Sequence, residues 1–121
     1  MIQRSELING SEYWYCNLFI GEFGAINSYF TTKPVKVTYK QYNGYSDLGE
    51  FVTESGRIHL IVDIKIEGLF DNESDCINYW NSQIQNAAKN VDKQLQDLTK
   101  VYNTKLKTLT NRKIKILKEL L

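Results

Sequence analysis

The stretch GLFDNESDCINYW, residues 68–80, decides the fold, because the hydrophobic pattern changes its period within it. Upstream, apolar and polar residues mostly alternate, as they do in strands whose two faces differ. Downstream, apolar residues recur at about 100° per residue, which is typical of one face of a helix. Between the two patterns, residues 71–75 supply an N-cap candidate and a negatively charged first turn. The sequence therefore predicts an α+β protein, with a β body over residues 1–70 and one long helix over 71–121.

The β body contains about five predicted strands, joined by tight turns. They cover residues 12–21, 25–32, 35–42, 49–54 and 57–66. Asn43-Gly44 is a strong hairpin signal between the third and fourth. The fifth strand has the clearest alternation, and its core-facing residues are predicted to be Ile58, Leu60, Val62, Ile64 and Ile66. This arrangement favours a small antiparallel sheet or a partly open barrel.

One apolar stripe runs along the predicted helix, and Lys113 is the charged residue at one position of this stripe. Its members are Ile77, Trp80, Ile84, Ala88, Val91, Leu95, Leu98, Tyr102, Leu106, Leu109, Leu117 and Leu120. A break near residues 103–111 is an alternative, because this stretch is rich in Thr and Asn. A second helix there would carry lysines in its first turns, the wrong sign for the helix dipole. No Gly or Pro follows Gly68, so a single amphipathic helix is favoured.

The predicted helix is too long for the β body to cover its whole apolar stripe. About 49 residues at ~1.5 Å each span on the order of 70 Å, whereas a body of about 70 residues is only ~30 Å across. We expect Ile77, Trp80 and Ile84 to pack against the sheet face that contains Leu60, Val62 and Ile64. The outer stripe then needs another partner, and a homodimer is predicted to use Leu95, Leu98, Tyr102, Leu106 and Leu109.

Charge is distributed unevenly along the chain. Residues 100–121 carry seven Lys or Arg against one acid, whereas residues 1–99 carry a net charge of −5. Nucleic-acid binding is therefore an alternative, through the basic residues Lys105, Lys107, Arg112, Lys113, Lys115 and Lys118. A second candidate contact for a protein or a nucleic acid is the strand face and turn formed by Lys36, Lys40, Tyr42 and Tyr45. The cations are spread around the helix, which is more typical of a solvated surface than of a phosphate-binding face.

No local pattern predicts a catalytic, cofactor or metal site. The sequence lacks a phosphate loop, GxSxG and HExxH. His59 and Asp63 lie on one predicted strand face, but no motif places a nucleophile beside them. Cys16, Cys76 and His59 lack zinc-ligand spacing, and the two cysteines are expected to be buried and reduced. The N-terminus lacks a signal-peptide pattern and no apolar run is long enough to span a bilayer, so we expect a cytoplasmic protein with no membrane contact.

Two segments, SEYWYCNLFIG (residues 11–21) and GLFDNESDCINYWNSQI (residues 68–84), give the chain a resemblance in style to small bacteriophage-encoded accessory proteins. The short chain and its Asn, Lys, Ile and Tyr content contribute to the resemblance. It implies a non-catalytic protein that inhibits a host enzyme or a host defence complex in the host cytoplasm. The function predicted from the sequence is thus a non-enzymatic interaction module that self-associates through its helix.

Overall fold

The computed structural model describes residues 2–42, 45–56, 58–60 and 66–121. It has an α+β architecture, in which an antiparallel sheet is followed by one long helix. The strands are β1 (Glu12–Asn17), β2 (Thr32–Tyr42), β3 (Tyr45–Thr53), β4 (Ile58–Leu60) and β5 (Leu69–Phe70), and the helix is α1 (Glu73–Leu120). Short 3-10 turns cover Arg4–Glu6, Glu22–Gly24 and Ile66–Gly68. The strand order is β4-β3-β2-β1-β5, so β4 and β5 are the edges of the described sheet.

Four of the five sequence-predicted strands are present among the described residues, and the predicted strand over residues 25–32 is wrong. Only one isolated bridge, between Ile20 and Ile26, forms in that region. The Asn27 carboxamide oxygen accepts hydrogen bonds from the backbone N–H of Tyr29 (3.1 Å) and of Phe30 (3.3 Å). A side-chain acceptor of this kind competes with strand pairing for the backbone N–H groups, so the chain forms a turn here and not a strand. The two-residue β5 is an addition that the alternation did not predict.

The core lies on the face of the sheet formed by alternate strand residues. Its buried members are Ile2, Tyr13, Tyr15, Val37, Tyr39, Phe51 and Leu69, with Leu7 and Val35 packed beside them. The N-terminal segment covers this face and is tied to β2, because Gly10 N–H donates to the Tyr39 carbonyl (2.8 Å). The sequence-predicted core series in residues 57–66 and the Asn43-Gly44 turn lie outside the residues and side chains that the structure describes.

α1 is one uninterrupted helix of 48 residues, which confirms the continuous helix and excludes the break near residues 103–111. The helix is capped as predicted: the Asn72 side chain accepts from Asp75 N–H (2.9 Å), and Glu73 and Asp75 supply acids to the first turn. Threonine is accommodated inside the helix, since the Thr99 hydroxyl donates to the Leu95 carbonyl (2.8 Å). The acids at the start and Lys118 in the last turn both complement the helix dipole.

The root of α1 packs against β1, β2, β5 and the turn Glu22–Gly24. Its buried or half-buried residues are Cys76, Tyr79, Trp80, Gln83, Ala87 and Val91. Trp80 is half-buried at the root, whereas the predicted packing is wrong for Ile77 and Ile84, which are 38% and 39% exposed. Their expected counterparts Leu60, Val62 and Ile64 lie outside the described side chains.

Candidate functional site

The root of α1 presents two different faces, one to the body and one to solvent. Residues that contact the body, such as Cys76, Gln83 and Ala87, share one side of the helix. At about 100° per residue, the centre of this side is rotated by roughly 70° from the centre of the apolar stripe. Polar Gln83 consequently faces the body, whereas apolar Ile77 and Ile84 stay exposed. At the root of the helix, the body thus covers part of Trp80 and Val91 of the stripe and leaves Ile77, Ile84 and Ala88 exposed.

Beyond the root, the stripe is completely uncovered in the single chain. Every residue from 92 to 121 is exposed. The five predicted dimer residues, Leu95, Leu98, Tyr102, Leu106 and Leu109, retain between 46% and 64% of their surface. The continuous helix brings all five onto one face, at the spacing that the sequence predicted. Further exposed apolar residues follow at the end of the helix, namely Ile114, Ile116, Leu117, Leu120 and Leu121.

The six cations of the predicted nucleic-acid contact are all exposed on α1. They are Lys105, Lys107, Arg112, Lys113, Lys115 and Lys118. On a continuous helix these positions point in directions spread around most of the circumference, since each residue advances by about 100°. Lys113 lies in the apolar stripe itself and Arg112 lies at its side. The helix therefore does not gather these charges into one phosphate-binding face.

The Lys36 and Lys40 face of the sheet carries charges of both signs. Lys36 Nζ lies 2.9 Å from Glu12 Oε2, and this hydrogen bond and charge raise the pKa of the Lys36 ammonium group. Lys40 is exposed and is paired in the strand register with Glu50. Tyr42 and Tyr45 pair in the backbone register of β2 and β3, but their side chains lie outside what the structure describes. A neutralised lysine next to acids is a poor site for phosphate.

A second apolar surface lies on the segment between β1 and β2, which we name the aromatic loop (residues 18–31). Its exposed members are Phe19, Phe23, Ile26, Tyr29 and Phe30. The rings are ordered against one another: the Phe19 and Phe30 centroids are 5.5 Å apart, and Tyr29 meets Phe30 edge-on at 4.8 Å. Sequence reasoning missed this surface because it assigned residues 25–32 to a strand. Gly21, Gly24 and Asn27, which favour turns, were the signal that an ordered loop lies here.

The backbone of the aromatic loop is held by hydrogen bonds at both ends. Phe19 N–H donates to Thr31 Oγ1 (3.0 Å), and Asn27 N–H donates to the Phe19 carbonyl (3.0 Å). Asn17 Nδ2 donates to the Phe30 carbonyl (2.9 Å), which ties the loop to the end of β1. The loop is therefore a pre-organised element, and its exposed rings are not a consequence of missing local structure.

Phe23 is the most unusual residue of the aromatic loop. Its φ of 57° and ψ of 29° lie in the left-handed region, and its side chain is 84% exposed. A bulky residue in this conformation costs about 1–2 kcal/mol, and the exposed ring recovers little of that through burial. Strained residues of this kind are found at binding sites, where the strain persists because the surrounding structure imposes it. Phe23 adjoins Gly24, which contacts Val91 of α1.

The loop and the root of α1 enclose a groove of about 330 Å³. Its lining residues are Leu18, Ile20, Gly21, Gly24, Gln83, Asn86, Ala87, Asn90, Val91 and Gln94. Most of its helix side is amide, and none of its lining residues is charged. The groove lacks the convergent titratable groups that mark a catalytic pocket.

Two buried thiols join β1 to the first turns of α1. Both cysteines are free, and Cys16 Sγ donates to the Cys76 carbonyl (3.7 Å). Burial, together with the hydrogen bond to Cys76, raises the pKa of the Cys16 thiol from 9.0 to about 12. Burial also raises the pKa of the Cys76 thiol. These protonated thiols act as small core residues, as the sequence predicted, and the geometry gives them no nucleophilic role.

The described part of the chain contains neither a candidate metal site nor a helix that could span a membrane. No group of three or more His, Cys, Asp or Glu side chains is placed there to hold a metal ion. No described helix combines the length and hydrophobicity needed to cross a bilayer. The possible pair of His59 with Asp63 lies outside the described side chains.

Comparison of the chain with protein-family models, with curated proteins and with solved structures gives no match.

Proposed function

We propose that this chain is a non-enzymatic interaction protein that self-associates through the exposed apolar stripe of α1. One observation carries the proposal: every residue beyond position 91 is exposed, including the stripe residues from Leu95 to Leu120. Helix propensity alone gives little stability to a long solvated helix that contains many Thr and Asn residues. Most helical stability in proteins comes from packing of the apolar face. A helix from a second copy supplies that packing.

The aromatic loop is the surface that we assign to a different protein partner. It offers ordered, exposed Phe and Tyr rings, and aromatic residues are enriched at the cores of protein interfaces. The loop adjoins the helix through the contact of Gly24 with Val91, so self-association also presents two copies of it. Inhibition of a host protein, which the resemblance to phage accessory proteins implies, stays a prediction.

A pair of matched variants tests the self-association. Leu106→Asp places a charge on the exposed stripe, whereas Thr104→Asp places the same charge on the opposite side of the helix. Light scattering coupled to size exclusion should give a monomer mass for Leu106→Asp and the native oligomer mass for Thr104→Asp. An oligomer that survives Leu106→Asp with unchanged mass would show that the stripe is not the contact.

A further inference from the structure

We propose that two copies of α1 pair antiparallel along their whole length, with residues near Leu98 at the centre and the start of each helix beside the end of the other. This inference rests on the self-association proposed above and adds its orientation and register. In this arrangement Ile77 of one copy lies opposite Leu120 of the other. The argument uses the extent of the uncovered stripe, its spacing and the charges that flank it.

The extent of the stripe sets the register. Its first exposed member is Ile77, inside the root, and its last is Leu120, while Trp80 and Val91 between them are half-buried against the body. A partner helix that covers this whole stretch must span roughly 65 Å at ~1.5 Å per residue. The midpoint of the stretch falls between residues 98 and 99, so an antiparallel copy centred there covers both ends. Pairing of the outer halves alone would leave Ile77 and Ile84 in water.

The energetics favour this full overlap. The five outer residues of each copy are about half exposed, so pairing them alone removes only part of the apolar surface of the stripe from water. Association also costs translational and rotational freedom, which a larger apolar contact offsets better. A full overlap adds the exposed surface of Ile77, Ile84, Leu117 and Leu120 from each copy.

The spacing of the stripe permits such a long, nearly straight contact. Successive stripe positions are separated by 3 or 4 residues, for example Leu95, Leu98, Tyr102 and Leu106. With Lys113 counted, the stripe averages about 3.6 residues per turn, the value of a straight helix, and therefore imposes almost no supercoil. The stripe therefore stays on one side of α1 over its whole length, where a straight partner can follow it.

Charge selects the antiparallel orientation. Residues 71–98 hold five acids and two lysines, a net of −3, whereas residues 99–121 hold seven cations and one acid, a net of +6. A parallel pair places the two +6 segments side by side. An antiparallel pair places each of them beside a −3 segment. Charge complementarity of this kind sets orientation and suppresses the wrong pairing more than it adds affinity.

Cysteine crosslinking tests the orientation. The variants are Ile77→Cys, Leu120→Cys and the double variant, with the native chain, whose two thiols are buried, as the background control. After mild oxidation, we expect a covalent dimer on a non-reducing gel from the double variant and from neither single variant. A parallel pair would crosslink in each single variant. An antiparallel pair of the outer halves alone would place residue 77 of each copy far from residue 120 of the other, so no variant would crosslink.

The outcomes separate this inference from the function on which it rests. If the native chain is dimeric but the single variants crosslink, or if no variant does, the register proposed here is wrong and self-association stands. If the native chain is monomeric by light scattering, the proposed function fails together with the register. Only crosslinking restricted to the double variant, in a dimeric chain, supports the full antiparallel overlap.

Discussion

Val91 of α1 occupies the space that a side chain on Gly24 would need: a Cβ built on Gly24 would lie 2.6 Å from Val91 Cγ2. Gly24 also has a φ of +75°, which favours glycine. This contact fixes the position of the aromatic loop against the root of the helix. It thereby relates the two surfaces to which we assign self-association and partner binding.

Replacing Gly24 with alanine should therefore destabilise the chain through two effects. The positive φ costs about 1–2 kcal/mol, and the overlap with Val91 adds about 1–3 kcal/mol. Gly10→Ala is the matched control, since Gly10 has a φ of +85° and nothing within 4 Å of its Cβ position. Urea unfolding should show the larger loss for Gly24→Ala, and Val91→Ala should reduce the difference. Equal losses in the two glycine variants would refute the contact.

Replacing Phe23 with asparagine should stabilise the free chain. Asparagine tolerates the left-handed conformation that Phe23 adopts, and the lost ring is 84% exposed. We expect a gain of up to about 1 kcal/mol in the free energy of unfolding. Phe19→Asn is the control and should lower stability, because the Phe19 ring packs against Phe30. A clear loss for Phe23→Asn would mean that the ring contributes to the fold and is not kept for a partner.

The two faces of the helix root should respond differently to the same charge. Ile84 belongs to the exposed stripe, whereas Ala87 is half-buried against the body. Ile84→Asp should weaken self-association by light scattering while the thermal midpoint of a dilute, monomeric sample changes little. Ala87→Asp should lower that midpoint, because it buries an unpaired charge. If Ile84→Asp leaves the oligomer intact, the partner helix does not reach the root.

The buried thiols predict a specific dependence on pH. The pKa of Cys16 is raised to about 12 in the folded chain from 9.0, so the folded state retains a proton that the unfolded state loses between these values. The free energy of unfolding should therefore be unaffected by this group below about pH 9 and should fall as the pH rises above it. Native Cys16 and Cys76 should also react slowly with thiol reagents at pH 8. Rapid labelling of both in the folded chain would contradict their burial.

The sequence predicted the features that depend on periodicity and end signals. The helix start near Asn72 and its continuity to Leu120 both follow from local pattern. The exposed stripe from Leu95 to Leu109 was predicted for the same reason, since a 48-residue helix exceeds the small body beside it. These predictions needed no knowledge of tertiary packing.

The features that the sequence did not predict depend on tertiary contacts and on the two hydrogen bonds that the Asn27 side chain accepts. Periodicity locates the apolar stripe, but the face of α1 that meets the body is set by the Cys16–Cys76 and Gly24–Val91 contacts. Those contacts rotate the helix so that Gln83 packs and Ile84 does not. The aromatic loop was missed because Asn27 turns a segment whose composition suits a strand.

The measurement that tests the central claim most directly is the solution mass of the native chain, by light scattering coupled to size exclusion at low and high salt. The pairing of exposed apolar stripes predicts a dimer, twice the chain's 14.1 kDa, at both salt concentrations. A dimer that dissociates at high salt would show that charges hold the copies together and not the stripe. A monomer at both concentrations would contradict the account outright.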